Sequence, residues 1–240
     1  MSAALEREYR VGEEIGRGRY GVVSRCYSAV TGQCFAVKSI EKRLIQDDAV
    51  DSLCLRNEAK LMHLASGHPN VLGIFDVYED DEFLHVVLEY CGAGDLFERI
   101  TARPVFAESE ARRVMVPLME AIAHIHDRGV AHRDIKPDNI LFNSYNELKL
   151  ADFGSAECFG NGGLMSGIVG TPYYVAPEGE LEISEERFGS VSSEAKDLLR
   201  RMLCKDVSRR FSADQVLKSR AGNVVQQWQV PSMLYMEVLI

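Results

Sequence analysis

His132-Arg133-Asp134-Ile135-Lys136-Pro137-Asp138-Asn139 places a carboxylate, an ammonium and an amide within one short run. Phosphoryl transfer calls for those three groups. A carboxylate orients the incoming hydroxyl, a cation sits near the moving phosphate, and an amide oxygen helps hold Mg²⁺. Asp134, Lys136 and Asn139 supply them. Leu150-Ala151-Asp152-Phe153-Gly154 follows closely, and Asp152 offers the hard oxygen ligand that Mg²⁺ prefers. Either run alone reads equally as a polar loop. Their order and spacing, behind two further runs, argue for a site.

The first of those runs is Gly16-Arg17-Gly18-Arg19-Tyr20-Gly21-Val22-Val23. Its glycines Gly16, Gly18 and Gly21 let backbone N–H groups come close to phosphate. A dinucleotide-binding version would open a helix. Here β-branched residues and the turn Thr31-Gly32 follow, so a glycine-rich flap over ATP and a plain hairpin stay as the two readings. The second run is Phe35-Ala36-Val37-Lys38, and Glu58 lies on the helix that follows. Paired with Glu58, Lys38 would be held against nucleotide phosphates. Unpaired, both read as ordinary solvated surface residues.

Together these runs resemble the signature set of the eukaryotic serine/threonine protein kinases. The resemblance covers about residues 9–178 and resumes over about 191–217. Lys136 and Gly170-Thr171-Pro172-Tyr173-Tyr174-Val175-Ala176-Pro177-Glu178 resemble the serine/threonine branch rather than the tyrosine branch. Asp152-Phe153-Gly154-Ser155-Ala156-Glu157, Gly167 to Tyr174 and Ala195-Lys196-Asp197-Leu198-Leu199-Arg200 are similar to the plant calcium-dependent kinases. Among these they look most like the phosphoenolpyruvate carboxylase kinases, small members without a regulatory extension. No D-x-[DN]-x-[DN]-G loop for Ca²⁺ occurs in the chain.

The resemblance implies an α+β bilobal fold with a β-rich N-lobe over 9–90 and a helical C-lobe over 91–218. It implies ATP and Mg²⁺, with Asp134, Lys136, Lys38 and Glu58 as catalytic residues and Asn139 and Asp152 on the metal. Ile15, Val23, Ala36, Leu141 and the hinge Glu89 to Cys91 would hold adenine, Leu88 would back that pocket, and Asp95 would meet the ribose or a basic substrate residue. Asp95 reads equally as the cap of a short helix over 96–100, and the apolar residues read equally as core. Thr171 would bond Asp134 and Lys136, and Glu178 would pair with Arg210. Arg133 would answer a phosphate on the following loop, with Ser166 as a candidate, but a lone serine in a glycine-rich loop more often stays unmodified and regulation by loop phosphorylation is not expected. The acceptor would be a Ser or Thr hydroxyl of a cytosolic metabolic enzyme such as phosphoenolpyruvate carboxylase.

Periodicity fills in the elements. Strands are expected over 21–30, 33–40, 71–78 and 83–89, and a helix over 47–65 with Leu53, Leu61 and Leu64 among its apolar residues. Ala111, Val114, Leu118, Ala121, Ile122 and Ile125 form one stripe of a helix over 108–127, kinked at Pro117 and ended by Gly129. Ala195, Leu198, Leu199, Met202 and Leu203 form a later stripe, and Ser212 with Gln215 forms a capping box.

One stretch departs from the family pattern. Only 32 residues separate Glu178 from Arg210, and the junction near 179–190 carries four acids and no apolar run. The long helix that the resemblance places there has no sequence to form it, and the only tryptophan is Trp228. Loss of that helix is expected to uncover apolar surface on 108–127 and 195–203, each exposed Leu costing about 1.5–3 kcal/mol. The 219–240 segment is an atypical tail whose apolar end, 233–240, reads equally as a cover for that surface and as an aggregation-prone segment. Three alternatives follow: an active kinase, a noncatalytic ATP-binding isoform or interaction protein, and a fragment that does not fold stably.

Composition bounds the rest. The 240 residues are 46% hydrophobic and 26% charged, with net charge −9, which argues against nucleic-acid or acidic-membrane partners. No apolar run approaches the roughly 18 residues of a membrane span, and no secretory leader is evident. Six scattered cysteines without a C-x-x-C pair read as reduced cytoplasmic thiols. A monomer is expected.

Overall fold

The structure is a computed structural model; it describes residues 2–18, 21–44, 49–102, 105–159, 192–219 and 229–231. The glycine-rich run forms a hairpin of β1 (Tyr9–Gly18) and β2 (Gly21–Ser28), whose last pair is Gly18 opposite Gly21. Glycine is required at 21, because a Cβ there would lie 2.0 Å from the Ser39 carbonyl oxygen. β3 (Cys34–Glu41), β4 (Ile74–Glu79) and β5 (Phe83–Glu89) complete an antiparallel sheet in the order β1-β2-β3-β5-β4.

Register sorts this sheet into two faces. Val23 and Val86 both pair with Lys38, and Ala36 pairs with Leu88, so these residues share one face. That face joins the main core. Phe35, Val37, Cys26 and Val87 form the other face, closed by Leu5 and Tyr9. Leu5 belongs to α1 (Ala3–Glu8), a helix capped by the Ser2 side chain.

α2 (Ala49–Ala65) crosses the inner side of the sheet, with Leu61, Met62 and Ala65 buried. Leu64 is exposed, contrary to its place in the expected apolar set, and the Leu53 side chain lies outside the described residues. α3 (Leu96–Thr101) and β6 (Val105–Ala107) lead into α4 (Glu108–Asp127), which runs through Pro117. Gly129 ends it with φ of 69°. Three short strands follow, β7 (Val130–Ala131), β8 (Ile140–Phe142) and β9 (Leu148–Leu150), then β10 (Glu157–Cys158) paired with β7. Later come α5 (Ser193–Met202), α6 (Ala213–Lys218) and β11 (Gln229–Pro231), the last paired with β6. The Ser212–Gln215 capping box opens α6 as expected.

The apolar surface expected to lie open is covered. Ala111, Val114, Leu118, Ala121, Ile122 and Ile125 of α4 are buried, as are Ala195, Leu198, Leu199 and Leu203. α6 packs on α4, and Val216 joins the same core. A β-sheet lobe and a helical lobe thus share one continuous core, the bilobal α+β architecture that the resemblance implies. The segment 160–191, with Ser166, Thr171, Glu178 and the junction near 179–190, lies outside the described residues, as does most of the tail.

Candidate active site

Strand β3 and helix α2 bring Lys38 and Glu58 together. The Lys38 Nζ donates to Glu58 Oε1 at 2.7 Å and Oε2 at 3.0 Å. Glu58 is only 3% exposed, so the ion pair is buried on the carboxylate side. Burial alone would lower the Lys38 pKa. The Glu58 and Asp152 carboxylates outweigh it and hold the ammonium above its ordinary value. Asp152 Oδ1 stands 3.4 Å from the same ammonium, although the two residues are 114 apart in sequence.

Asp152 has φ of 61°, the left-handed region, and is half exposed toward solvent. Gly154 stands close behind it, where a Cβ would meet Asp152 Oδ1 at 3.3 Å. Within the run 132–139, Lys136 donates to Asp134 Oδ2 at 2.8 Å. The Asn139 amide nitrogen donates to the Asp134 carbonyl at 2.8 Å and to Oδ2 at 3.1 Å. The Asn139 amide nitrogen is therefore committed, and its oxygen is the atom left to face a cation.

His132 locks the two loops together, a role its place in the motif did not reveal. Its ring nitrogen Nε2 bonds the Ala151 carbonyl at 2.9 Å, and its ring meets Phe153 edge-on at 4.8 Å. Nδ1 accepts from the Asp134 backbone N–H at 3.3 Å. Burial pushes the His132 pKa down, against smaller opposing effects of Ala151, Asp152 and Asp134. Arg133 forms an ion pair with Glu157.

The remaining expected residues lie on the sheet, in the segment that follows β5 and on β8. Val23, Ala36 and Leu88 lie on the inner face of the sheet, and Leu141 on β8 packs against the same core. Ile15 and Gly16 lie on β1, with Gly16 opposite Val23; Ile15 is 41% exposed. Leu141 and Asp95 face each other in an isolated bridge. Asp95 caps α3 by accepting from the Glu98 N–H at 2.8 Å, so its side chain does what the capping alternative expected. The Glu89 carboxylate turns to Lys149 at 2.8 Å. Cys91 follows, its thiol pushed up to about 12 by burial first and Glu89 second. Sequence separation hid the Glu89–Lys149 and Arg133–Glu157 pairs, since no local pattern links such partners.

Mg²⁺ fits this donor set. One carboxylate and one amide oxygen are hard ligands, and Mg²⁺ ordinarily completes its shell with substrate phosphates and water. Among the described residues no group of three or more His, Cys, Asp or Glu side chains is placed to hold a metal ion.

A model of the protein kinase domain matches residues 9–179. The chain belongs to the protein kinase family. Calcium-dependent protein kinase 24 of Oryza sativa subsp. japonica is 34% identical over 264 residues, which take in 90% of this chain and 51% of that protein. Calcium-dependent protein kinase 10 of the same plant is 34% identical over 262 residues, 90% of this chain and 43% of that one. Calcium-dependent protein kinase 1 of Arabidopsis thaliana is 35% identical over 256 residues, with 87% and 42% covered. This kinase-family chain spans about half the length, or less, of the curated relatives it matches. Among its described residues no helix is long and apolar enough to cross a membrane.

Proposed function

We propose that this chain is an ATP-dependent serine/threonine protein kinase. The observation that carries the reading is the ammonium of Lys38, bound by buried Glu58 and 3.4 Å from Asp152. Such an ammonium is fixed in direction and charged at neutral pH, as a phosphate ligand must be. Ile15, Val23, Ala36, Leu141 and the Glu89–Cys91 backbone would take the adenine, under the hairpin of Gly16, Gly18 and Gly21. Asp152 and the Asn139 amide oxygen would hold Mg²⁺, which when bound neutralises phosphate charge.

Asp134 orients the acceptor hydroxyl and accepts its proton as the oxygen bonds to the γ-phosphorus and the bond to ADP breaks. Lys136, already on Asp134 at 2.8 Å, lies where it can steady the moving phosphate. Thr171 favours a Ser or Thr acceptor. The unit runs over 9–218, with lobes at 9–90 and 91–218, and acts as a monomer in the cytoplasm. Its substrate class is a metabolic enzyme such as phosphoenolpyruvate carboxylase, by the resemblance of 152–157 and 167–174.

A deletion near 179–190 belongs to this reading. Each long alignment runs over more positions than the share of this chain it takes in, so several tens of positions in the relatives have no counterpart here. Among the described residues Arg210, the residue that Glu178 would brace, has a buried guanidinium nitrogen with no hydrogen-bond partner. The buried stripe of α4 favours a chain that folds despite the deletion.

The test is γ-phosphate transfer from ATP by the 240-residue chain to phosphoenolpyruvate carboxylase and to a Ser-containing peptide. Transfer that Asp134→Asn abolishes supports the reading. A wild-type chain that binds Mg-ATP and transfers nothing supports the noncatalytic isoform instead.

A further inference from the structure

Two residues at the centre of the site hold a backbone conformation that a side chain disfavours. Arg133, immediately before Asp134, has φ of 67°, and Asp152 has φ of 61°. Residues with a Cβ keep such angles only where their surroundings fix them. On the inner side the fixing is plain: buried His132 bonds the Ala151 carbonyl, joining the residue before Arg133 to the residue before Asp152. Facing Arg133 stands Glu157, which ends the run 152–157 but has no role assigned from sequence.

Glu157 lies in β10, directly opposite Ala131 of β7, with Cys158 opposite Val130. The ladder extends through Phe159, whose N–H donates to the Gly129 carbonyl at 2.7 Å. The strand that follows Asp152 is therefore sewn to the strand that precedes Arg133. From this fixed place the Glu157 carboxylate takes the Arg133 guanidinium. Both groups are mostly shielded, with side chains 14% and 31% exposed, so water weakens the pair less than on an open surface.

We propose that Glu157 is a positioning residue: through Arg133 it sets Asp134 against Asp152. Transfer requires the acceptor oxygen, held by Asp134, to stand in line with a phosphate held near Asp152, and small misplacements at such a site are costly. The His132 bond and the Glu157 pair clamp the two loops from opposite sides. The anion on Arg133 is part of the chain itself. A phosphate on the following loop, for which Ser166 is only a candidate, is then not needed to bring Arg133 into place.

The rate arm of the test rests on the kinase reading; the structural arm does not. Glu157→Gln, Arg133→Gln and the double variant are made in the 240-residue chain. For each, kcat and KM for Mg-ATP are measured, together with backbone hydrogen exchange over 130–136 and 152–158. Glu157→Gln is expected to lower kcat roughly tenfold or more while KM changes less than about twofold. Exchange in both segments is expected to quicken roughly tenfold while β2, β3 and β5 stay protected. The double variant is expected to be no slower than either single, because the pair acts as a unit. It also provides the reading should Glu157→Gln alone fail to fold. Unchanged exchange in these segments overturns the proposal, and so does kcat within about twofold of wild type. A wild-type chain without turnover refutes the kinase reading, and the exchange result then decides the clamp alone.

Discussion

Replacing Lys38 with Met isolates the electrostatics of the site. The substitution keeps most of the side-chain length and removes the ammonium that Glu58 binds at 2.7 and 3.0 Å. Glu58 is 3% exposed, so its carboxylate is left in the interior without a cation. Removing one partner of a buried ion pair costs about 3–5 kcal/mol. That is a large part of the roughly 5–15 kcal/mol that holds a typical domain together. Glu58 has a way to relieve the strain. Burial first, and Asp152 second, already push its pKa upward, and Lys38 is the group that opposes them. Without Lys38 the carboxyl takes up a proton.

A raised folded pKa gives stability that is present at low pH and lost as pH rises through the folded value. The cost of Lys38→Met should therefore be smallest near pH 5 and grow toward pH 8. Lys38→Met with Glu58→Leu should regain most of it, because no buried charge remains. Denaturant unfolding of the single and double variants across that range measures both effects. A loss under about 1 kcal/mol that does not vary with pH would refute the reasoning. So would a double variant whose loss equals the two single losses combined.

Other expectations concern the fold around the site. Burial depresses the pKa of His132 and of His85, each 1% exposed, so both stay neutral in the folded chain. The unfolded chain binds protons at these residues below pH about 6.5, and stability should fall there by up to about 1.4 kcal/mol per pH unit for each. A thermal midpoint that stays flat from pH 7 to 5.5 would contradict this. Gly21→Val sets a side chain against the Ser39 carbonyl, 2.0 Å from the Cβ position, and should cost about 1–3 kcal/mol by forcing the hairpin from β3. Mg-ATP binding should weaken with it, as titration calorimetry would read; unchanged binding and stability would count against a tight hairpin.

Much of the site could be read from sequence because its parts are contiguous. Asp134, Lys136 and Asn139 act from one loop, and their mutual bonds at 2.8 and 3.1 Å follow from that closeness. β5 and α4 end where turn residues and the apolar period placed them. Lys38 and Glu58 needed the resemblance to be paired, since 20 residues separate them. The helix α1 escaped notice because six residues are too few to show a period, though Ser2 before Ala3-Ala4 is a recognisable cap. Glu157 escaped because its meaning comes from the β10–β7 pairing, which brings distant segments together. The covered stripe of α4 was missed for a similar reason. Its burial depends on α6 packing against it, and a local pattern shows that a face is apolar without showing what meets it.

The central claim is that Lys38, Asp152 and Asn139 converge on a metal-bound triphosphate. Titration calorimetry of ATP into the 240-residue chain, with Mg²⁺ and with a chelator, tests it most directly when repeated on Asp152→Asn. The wild-type chain should bind ATP distinctly more tightly with Mg²⁺, and Asp152→Asn should lose that difference while staying folded. Equal Mg²⁺ enhancement in both proteins would contradict the account.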